Sequence, residues 1–255
     1  MSSPGEYRPS KRIKGSIDSP KAKTRLLVPC SSLSTWRNHM RKAIYTALAT
    51  LAFSNPVLAM DREYEVTITN LTRGQSFTPV FAATHKPGPH LFEVGAKASD
   101  ELAIMAEGGD TAPLVAMFSA DPAVSEAKTA TNGLLGPGQT VKFMVMANRG
   151  NNYLLSLATM LIPTNDAFIA VKELRLPSSG ETMVMVPAYD AGSEPNDELC
   201  ANIPGPVCGG VGTSPGVDGE GFVHIHAGIH GSGDLSAADY DWRNPVAKIT
   251  VKRMR

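Results

Sequence analysis

Short runs in which apolar and polar residues alternate occur throughout this sequence and limit the folds that it can adopt. In residues 63–70 (EYEVTITN), Tyr64, Val66 and Ile68 alternate with polar side chains. A period of two places successive side chains on opposite faces of a β-strand, so such a run predicts a strand with one buried face. Similar runs predict strands at residues 141–147, 152–162, 181–187, 221–226 and 247–253.

Helical patterns are few. Ser99 is placed to cap a helix that begins at Asp100 and that Gly108 would end. Residues 111–119 (TAPLVAMFS) fit either a helix or a strand. Helices and strands do not alternate along the chain, so we expect an all-β fold: an antiparallel β-sandwich with one short helix and long loops.

The distribution of charge separates the first 59 residues from the rest, although the whole chain has a formal net charge of zero. From Met60 onward there are 14 Lys and Arg residues against 22 Asp and Glu residues, a formal charge of −8. Nucleic acid is therefore not an expected partner, because binding to phosphates needs clustered cations.

Residues 40–59 have the pattern of a signal peptide. Two basic residues precede an apolar run at 43–53 (AIYTALATLAF), and Val57 and Ala59 satisfy the small-residue rule for cleavage. The run is too short to span a bilayer. We expect a secreted or periplasmic protein whose mature domain, residues 60–255, contains no transmembrane segment.

Residues 1–39 are basic, rich in Pro and Ser, and without apolar periodicity, which predicts a disordered leader. Met40 stands directly before the signal-peptide pattern, and a start there would give a signal peptide of ordinary length. We interpret the leader as a segment upstream of the true start.

Two of the three cysteines, Cys200 and Cys208, lie in the part that is expected to be exported. An even pair in an oxidising compartment predicts a disulfide. Two cysteines alone make a poor metal site, so we do not expect them to ligate zinc.

An acidic stretch at residues 186–200 (VPAYDAGSEPNDELC) contains four carboxylates, among them Asp190 and Glu194, and no Lys or Arg. Asp166 lies in an earlier turn, PTNDAF, which a hairpin-like path would bring to the same end of a sandwich. Calcium takes about six to eight oxygen ligands, mostly carboxylates and carbonyls, from flexible loops. The spacing fits a calcium site, and it also fits an ordinary solvated loop.

The segments PTNDAFIAV (163–171) and VPAYDAGSE (186–194) resemble, in this order, the spondin N-terminal domain family, which includes F-spondin, mindin and secreted bacterial proteins. That family has a proline-flanked Asp before an aromatic residue and, further on, a strand that ends in Asp-Ala-Gly-Thr-Asp. Residues 64–109 and 241–251 (DWRNPVAKITV) are similar to its opening and its end. The resemblance covers residues 62–255.

The resemblance implies a C2-like β-sandwich that binds Ca²⁺ at one end. Carried over to this sequence, the calcium ligands are Asp166, Asp190 and Glu194. Two positions depart from the family pattern. Ala167 stands where the aromatic residue is expected, with Phe168 next, and Glu194 stands in place of Asp. The longer Glu side chain can still reach calcium, with a different geometry.

A group of histidines at residues 224–231 (HIHAGIHG) gives an alternative. On a strand His224 and His226 point the same way, and His230 follows a glycine turn that would let it curl back. Three imidazoles suit zinc or copper. Two histidines on a solvated strand face would produce the same pattern.

The segment 233–247 (GDLSAADYDWRNPVA) combines carboxylates with aromatic residues. We expect it to form a lid loop whose Trp242 packs onto the sandwich, rather than a ligand site.

The sequence gives little sign of catalysis: no phosphate-cradling glycine loop follows a predicted strand, and no cysteine of the expected disulfide pair is free to act as a nucleophile. We therefore do not expect an enzyme. The function expected is that of a secreted calcium-binding β-sandwich module that binds a protein, a cell surface or a matrix component. The alternatives are a periplasmic zinc- or copper-binding protein that uses His224, His226 and His230, and a hydrolase with unrecognised residues.

Overall fold

The computed structural model describes residues 61–148, 153–213 and 219–254. The predicted leader at 1–39 and the predicted signal peptide at 40–59 lie outside these residues. Within the described part, two antiparallel sheets pack against a shared apolar core, which confirms the predicted all-β sandwich. The strands in chain order are β1 (Arg62–Asn70), β2 (Ser76–Phe77), β3 (Phe81–His85), β4 (Val124–Thr129), β5 (Thr140–Ala147), β6 (Leu154–Ile162), β7 (Ala167–Arg175), β8 (Glu181–Val186), β9 (Ala188–Asp190), β10 (His224–Ile225) and β11 (Ala247–Arg253).

The first sheet has four strands in the order β5-β1-β11-β8. In β1, Val66 pairs with Phe143 of β5 on one side and with Val251 of β11 on the other, and all three side chains are buried. The alternation in these strands therefore has its predicted cause: one face of the sheet covers the core and the other faces solvent. The runs that predicted β1, β5, β8 and β11 are confirmed.

The second sheet has the order β10-β9-β7-β6-β3-β4, with β2 paired to β6. Its central strand β6 is buried on both faces. Leu155, Leu157 and Leu161 belong to the core between the sheets, whereas Met160 and Ile162 belong to a second core on the outer face. The second sheet is thus the middle layer of three.

Helices supply the outer layer, and the prediction of one short helix was wrong in number. The described residues contain α1 (Asp100–Gly108), α2 (Ala112–Ser119) and the four-residue α3 (Ala237–Tyr240). The predicted helix is α1, whose Leu102 N–H donates to Ser99 Oγ at 3.2 Å. The ambiguous segment is α2, which is helical because Leu114 and Phe118, one turn apart, both enter the outer core.

The predicted strand at 181–187 ends at Val186, and after Pro187 the chain continues as β9 in the other sheet. Proline cannot donate a ladder hydrogen bond. The chain before it, β8, pairs with β11 in the first sheet, and the chain after it, β9, pairs with β7 and β10 in the second. This crossing carries Asp190 to the end of a buried sheet.

The predicted strand at 221–226 was too long, because only His224–Ile225 is a strand. Gly221 has a φ of +82°, outside the extended region, so the strand cannot begin there. Among the described residues, no helix is long and apolar enough to cross a membrane.

Candidate metal centre

Strand pairing brings the predicted acidic residues to one end of the second sheet. Asp166 directly precedes β7, and Asp190 is the last residue of β9. In the antiparallel register Ala167 lies opposite Asp190, and His224 of β10 lies opposite Asp190 on the other side. Asp166 and Asp190 therefore meet, although 24 residues separate them in sequence.

The carboxylate of Asp166 is fully buried. Its Oδ2 accepts hydrogen bonds from the backbone N–H groups of Ser193, at 2.8 Å, and Glu194, at 3.1 Å. Its Oδ1 has no hydrogen-bond partner among the described residues. Burial, and then the neighbouring charge of Asp190, raise the pKa of Asp166 to about 8.

Asp190 is also fully buried and is held by its own loop. Its Oδ1 accepts from Gly192 N–H at 2.8 Å, and its Oδ2 accepts from Asn196 Nδ2 at 2.7 Å. Gly192 has a φ of +64°, and a Cβ there would lie 2.4 Å from the carbonyl oxygen of Phe222. Glycine is therefore required for the turn that folds this loop over Asp190.

Glu194, the third predicted ligand, is buried in the same loop, with 2% of its surface exposed. Its backbone N–H donates to Asp166 Oδ2, so the backbone of Glu194 lies next to the two aspartates. Their coordination of one ion stays a prediction.

A different set of side chains has the spacing of a metal site. The ligand atoms of Asp190, Glu220 and His224 all lie within 4.8 Å of one another, and this is the one group of three such residues found in the described ranges. Asp166 and Glu194 are not members of it. Sequence reasoning missed Glu220, which stands directly before the predicted strand at 221–226 and lies on the loop that leads into β10.

The histidines do not form the predicted cluster of three. His224 Nε2 lies 3.9 Å from Asp190 Oδ1, and His226 Nε2 lies 3.7 Å from Asp190 Oδ2. Burial, and then the charge of His224, lower the pKa of His226 to about 4. His230 contributes its backbone N–H to Glu198, at 2.6 Å, and its ring is exposed. The two histidines on the strand flank Asp190 instead.

Glu198 is a structural carboxylate, one of the four in the acidic stretch at 186–200, to which sequence reasoning gave no role of its own. Its side chain is buried and accepts from the backbone N–H groups of His230, at 2.6 Å, and Ser232, at 2.7 Å. Burial raises the pKa of Glu198, but hydrogen bonds from backbone N–H groups at residues 230–233 bring it below its usual value. The signal for this contact in the sequence was the pair of glycines in HGSG (230–233), because glycines leave the neighbouring N–H groups accessible.

Two further expectations about these loops are confirmed. Cys200 and Cys208 form a disulfide, and Cys200 N–H donates to Asp234 Oδ2 at 2.9 Å. Trp242 is buried in the core between the sheets, with its ring centroid 5.0 Å from that of His226. The loop of 233–247 therefore packs onto the sandwich, as its aromatic residues predict.

Comparison with known proteins identifies the family. A search of curated proteins finds no match. The Spondin_N family model, however, matches residues 63–196, which is just over half of the 255 residues and extends from β1 to the loop that covers Asp190. Asp166, Asp190 and Glu194 lie inside the match, whereas Glu220 and His224 lie beyond it. The chain therefore belongs to the Spondin_N family.

Proposed function

We propose that this chain is a secreted, calcium-binding β-sandwich module, a binding protein rather than an enzyme. Calcium is held by Asp166, Asp190 and Glu194 at one end of the second sheet, and the ordered loops at that end contact a protein, a cell surface or a matrix component. Family membership supports an extracellular module, in agreement with the export pattern at residues 40–59.

The observation that carries the proposal is the buried pair of Asp166 and Asp190. Among the described residues, neither carboxylate has a Lys or Arg nitrogen within 4.0 Å; the basic side chains within that distance of Asp190 are two histidines, at 3.9 and 3.7 Å. A buried charge is costly unless it is paired, and Asp166 Oδ1 is also left without a hydrogen bond. A hard divalent cation would provide both the counter-charge and the missing partner, because carboxylate oxygens are the ligands that Ca²⁺ prefers.

Burial raises the pKa of Asp166 to about 8, but the surrounding loop favours its ionised form, which is the form that binds calcium. Asp166 Oδ2 accepts two backbone N–H bonds from residues 193 and 194, an arrangement that favours the ionised carboxylate. The turn at Gly192 aims this segment back at the sheet, so backbone carbonyls can complete a shell of about six to eight oxygens. Calcium would then join the start of β7, the end of β9 and the loop between them.

The experiment is thermal unfolding of the purified protein in millimolar Ca²⁺ and in chelator. Binding to the folded state alone adds RT ln(1 + [L]/Kd), about 2.7 kcal/mol at a hundredfold excess of ligand. We expect calcium to raise Tm, magnesium to act more weakly because it demands a tight octahedral shell, and Asp166→Asn or Asp190→Asn to remove most of the rise.

Glu181→Gln is the matched control, because Glu181 is an exposed carboxylate at the start of β8 in the other sheet. Its calcium shift should equal that of the unaltered protein. Asp197 is unsuitable, because it accepts hydrogen bonds from Asn165, at 2.9 Å, and Asn202, at 2.6 Å. Identical melting curves in calcium and in chelator would show that the proposed site does not bind calcium.

A further inference from the structure

We propose that Asp190, Glu220 and His224 form a second, transition-metal site that takes a divalent first-row ion such as Zn²⁺. Two of these residues lie beyond the Spondin_N match, and the proposal does not rest on calcium binding. Its ligand set is one imidazole and two carboxylates, a mixture that suits zinc better than the all-oxygen shell of calcium.

The distances fit one ion with small movements. Zinc bonds to nitrogen and oxygen are about 2.0–2.2 Å, so two ligand atoms in a tetrahedral shell lie about 3.4 Å apart. His224 Nε2 and Asp190 Oδ1 are 3.9 Å apart, too far for a hydrogen bond, and all three ligand atoms lie within 4.8 Å of one another. Glu220 is exposed, so its side chain can close the remaining gap.

The hydrogen bond of His224 leaves its Nε2, the nitrogen nearer to Asp190, able to bind an ion. Its Nδ1 lies 3.3 Å from the carbonyl oxygen of Ile225, which can only accept, so Nδ1 carries the proton. Nε2, on the side of Asp190, then has a free lone pair. Metal-bound histidines have this arrangement, in which the other ring nitrogen donates to a carbonyl or a carboxylate.

The opposite arrangement holds for His226. Its Nδ1 accepts from Gly228 N–H at 2.9 Å, so the proton of the neutral ring is on Nε2. That buried N–H has no hydrogen-bond partner and lies 3.7 Å from Asp190 Oδ2. His226 is therefore a positioning residue: it is aimed at the second oxygen of Asp190 and leaves Oδ1 for the ion.

Asn196 positions the two carboxylates. Its Nδ2 donates to Asp190 Oδ2 at 2.7 Å and to Glu220 Oε1 at 3.1 Å. One amide thus holds together two anionic side chains that would otherwise repel each other, as second-shell groups do around metals.

The test is titration of the purified, chelator-treated protein with Zn²⁺ alone, followed by calorimetry. We expect one ion per chain, and a loss of affinity of at least tenfold in Glu220→Gln and in His224→Ala. Glu220→Gln keeps the size of the side chain and an oxygen for Asn196, and the residue is exposed, so this variant tests the site without unfolding the protein. His90→Ala is the control, because His90 is an exposed histidine that pairs with Glu173 at 2.7 Å. It should bind zinc as the unaltered protein does.

Because Asp190 belongs to both proposed sites, other residues must separate them. Asp166→Asn should lose the calcium shift and keep zinc, whereas Glu220→Gln should lose zinc and keep the calcium shift. The zinc proposal is overturned if the unaltered protein binds no zinc, or if Glu220→Gln and His224→Ala bind it unchanged. It is also overturned if His90→Ala or Asp166→Asn weakens zinc as much as Glu220→Gln does, since binding would then be nonspecific or confined to one shared site.

Discussion

Among single residues, Asp166 has the most unusual environment, a buried carboxyl next to a second buried carboxylate. Its pKa in the folded protein is about 8, above the ordinary value of 3.8. A raised pKa gives stability that is present below the unfolded value and is lost as the pH rises through the folded value. In chelator, we therefore expect Tm to fall between about pH 4 and pH 8.

Thermal unfolding at a series of pH values checks this expectation. The fall should be smaller in Asp166→Asn, which cannot ionise, and calcium should offset it in the unaltered protein by binding the ionised form. If Asp166→Asn has the same pH dependence in chelator as the unaltered protein, another group is responsible.

The chain order of these residues predicted part of their arrangement. The sequence predicted a turn that contains Asp166 and a strand that ends at Asp190. In the structure, the pairing of Ala167 with Asp190 brings these two segments together. Glu220 could not be found in this way, because it approaches Asp190 through β10 and Asn196, across 30 residues of sequence. Contacts between loops depend on the order of the strands in the sheet. The alternation of apolar and polar residues does not specify that order.

At the scale of elements, Glu198 joins the acidic loop to the loop at 230–233. A glutamine there would keep the shape, but its NH₂ group would face a backbone N–H group that now donates a hydrogen bond to the carboxylate. We expect Glu198→Gln to lower the free energy of unfolding by about 1–3 kcal/mol, the cost of an unsatisfied buried donor. Denaturant unfolding measures this, with Glu181→Gln, an exposed carboxylate in the other sheet, as the control.

The pH dependence of this contribution has the opposite sign to that of Asp166. The pKa of Glu198 is lowered in the folded protein, so its stabilisation is present above the unfolded pKa and is lost as the pH falls through the folded one. The difference between the unaltered protein and Glu198→Gln should therefore shrink in acid. A difference that does not change with pH would mean that the charge of Glu198 is not what holds the loops.

Apart from β6, whose predicted range of 152–162 agrees with Leu154–Ile162, the elements that sequence predicted best have one solvent-exposed face. Strands β1, β5, β8 and β11 alternate because the outer face of their sheet meets solvent. Strand β7 escaped prediction because Phe168 and Ala170 face the helices while Ile169 faces the other sheet, so its buried part has no polar side. Alternation disappears wherever a sheet is covered on both faces.

For the whole molecule, the three layers give a rigid base to the end of the second sheet that carries Asp166 and Asp190. Both cores reach that end: Ala167 and Ala188 belong to the core between the sheets, and Phe168 and Ala191 to the outer core. The proposed ligands Asp166 and Asp190 adjoin these residues, so their backbone is fixed before any ion binds. A preformed site loses less conformational freedom on binding than a loop that must first fold.

The position of β6 between two apolar cores also sets the order in which parts of the backbone become accessible to solvent water. Amide protons in β6 should exchange with deuterium only when the entire domain unfolds, because opening this strand disrupts both cores at once. Edge strand β8, with Met183 and Met185 exposed, should exchange through smaller openings. Native-state exchange read out by mass spectrometry would rank the two segments, and equal rates in β6 and β8 would contradict a hierarchy with β6 at its slow end. In such a hierarchy the residues around Asp166, which follow β6 directly, are anchored to the last part of the molecule to open.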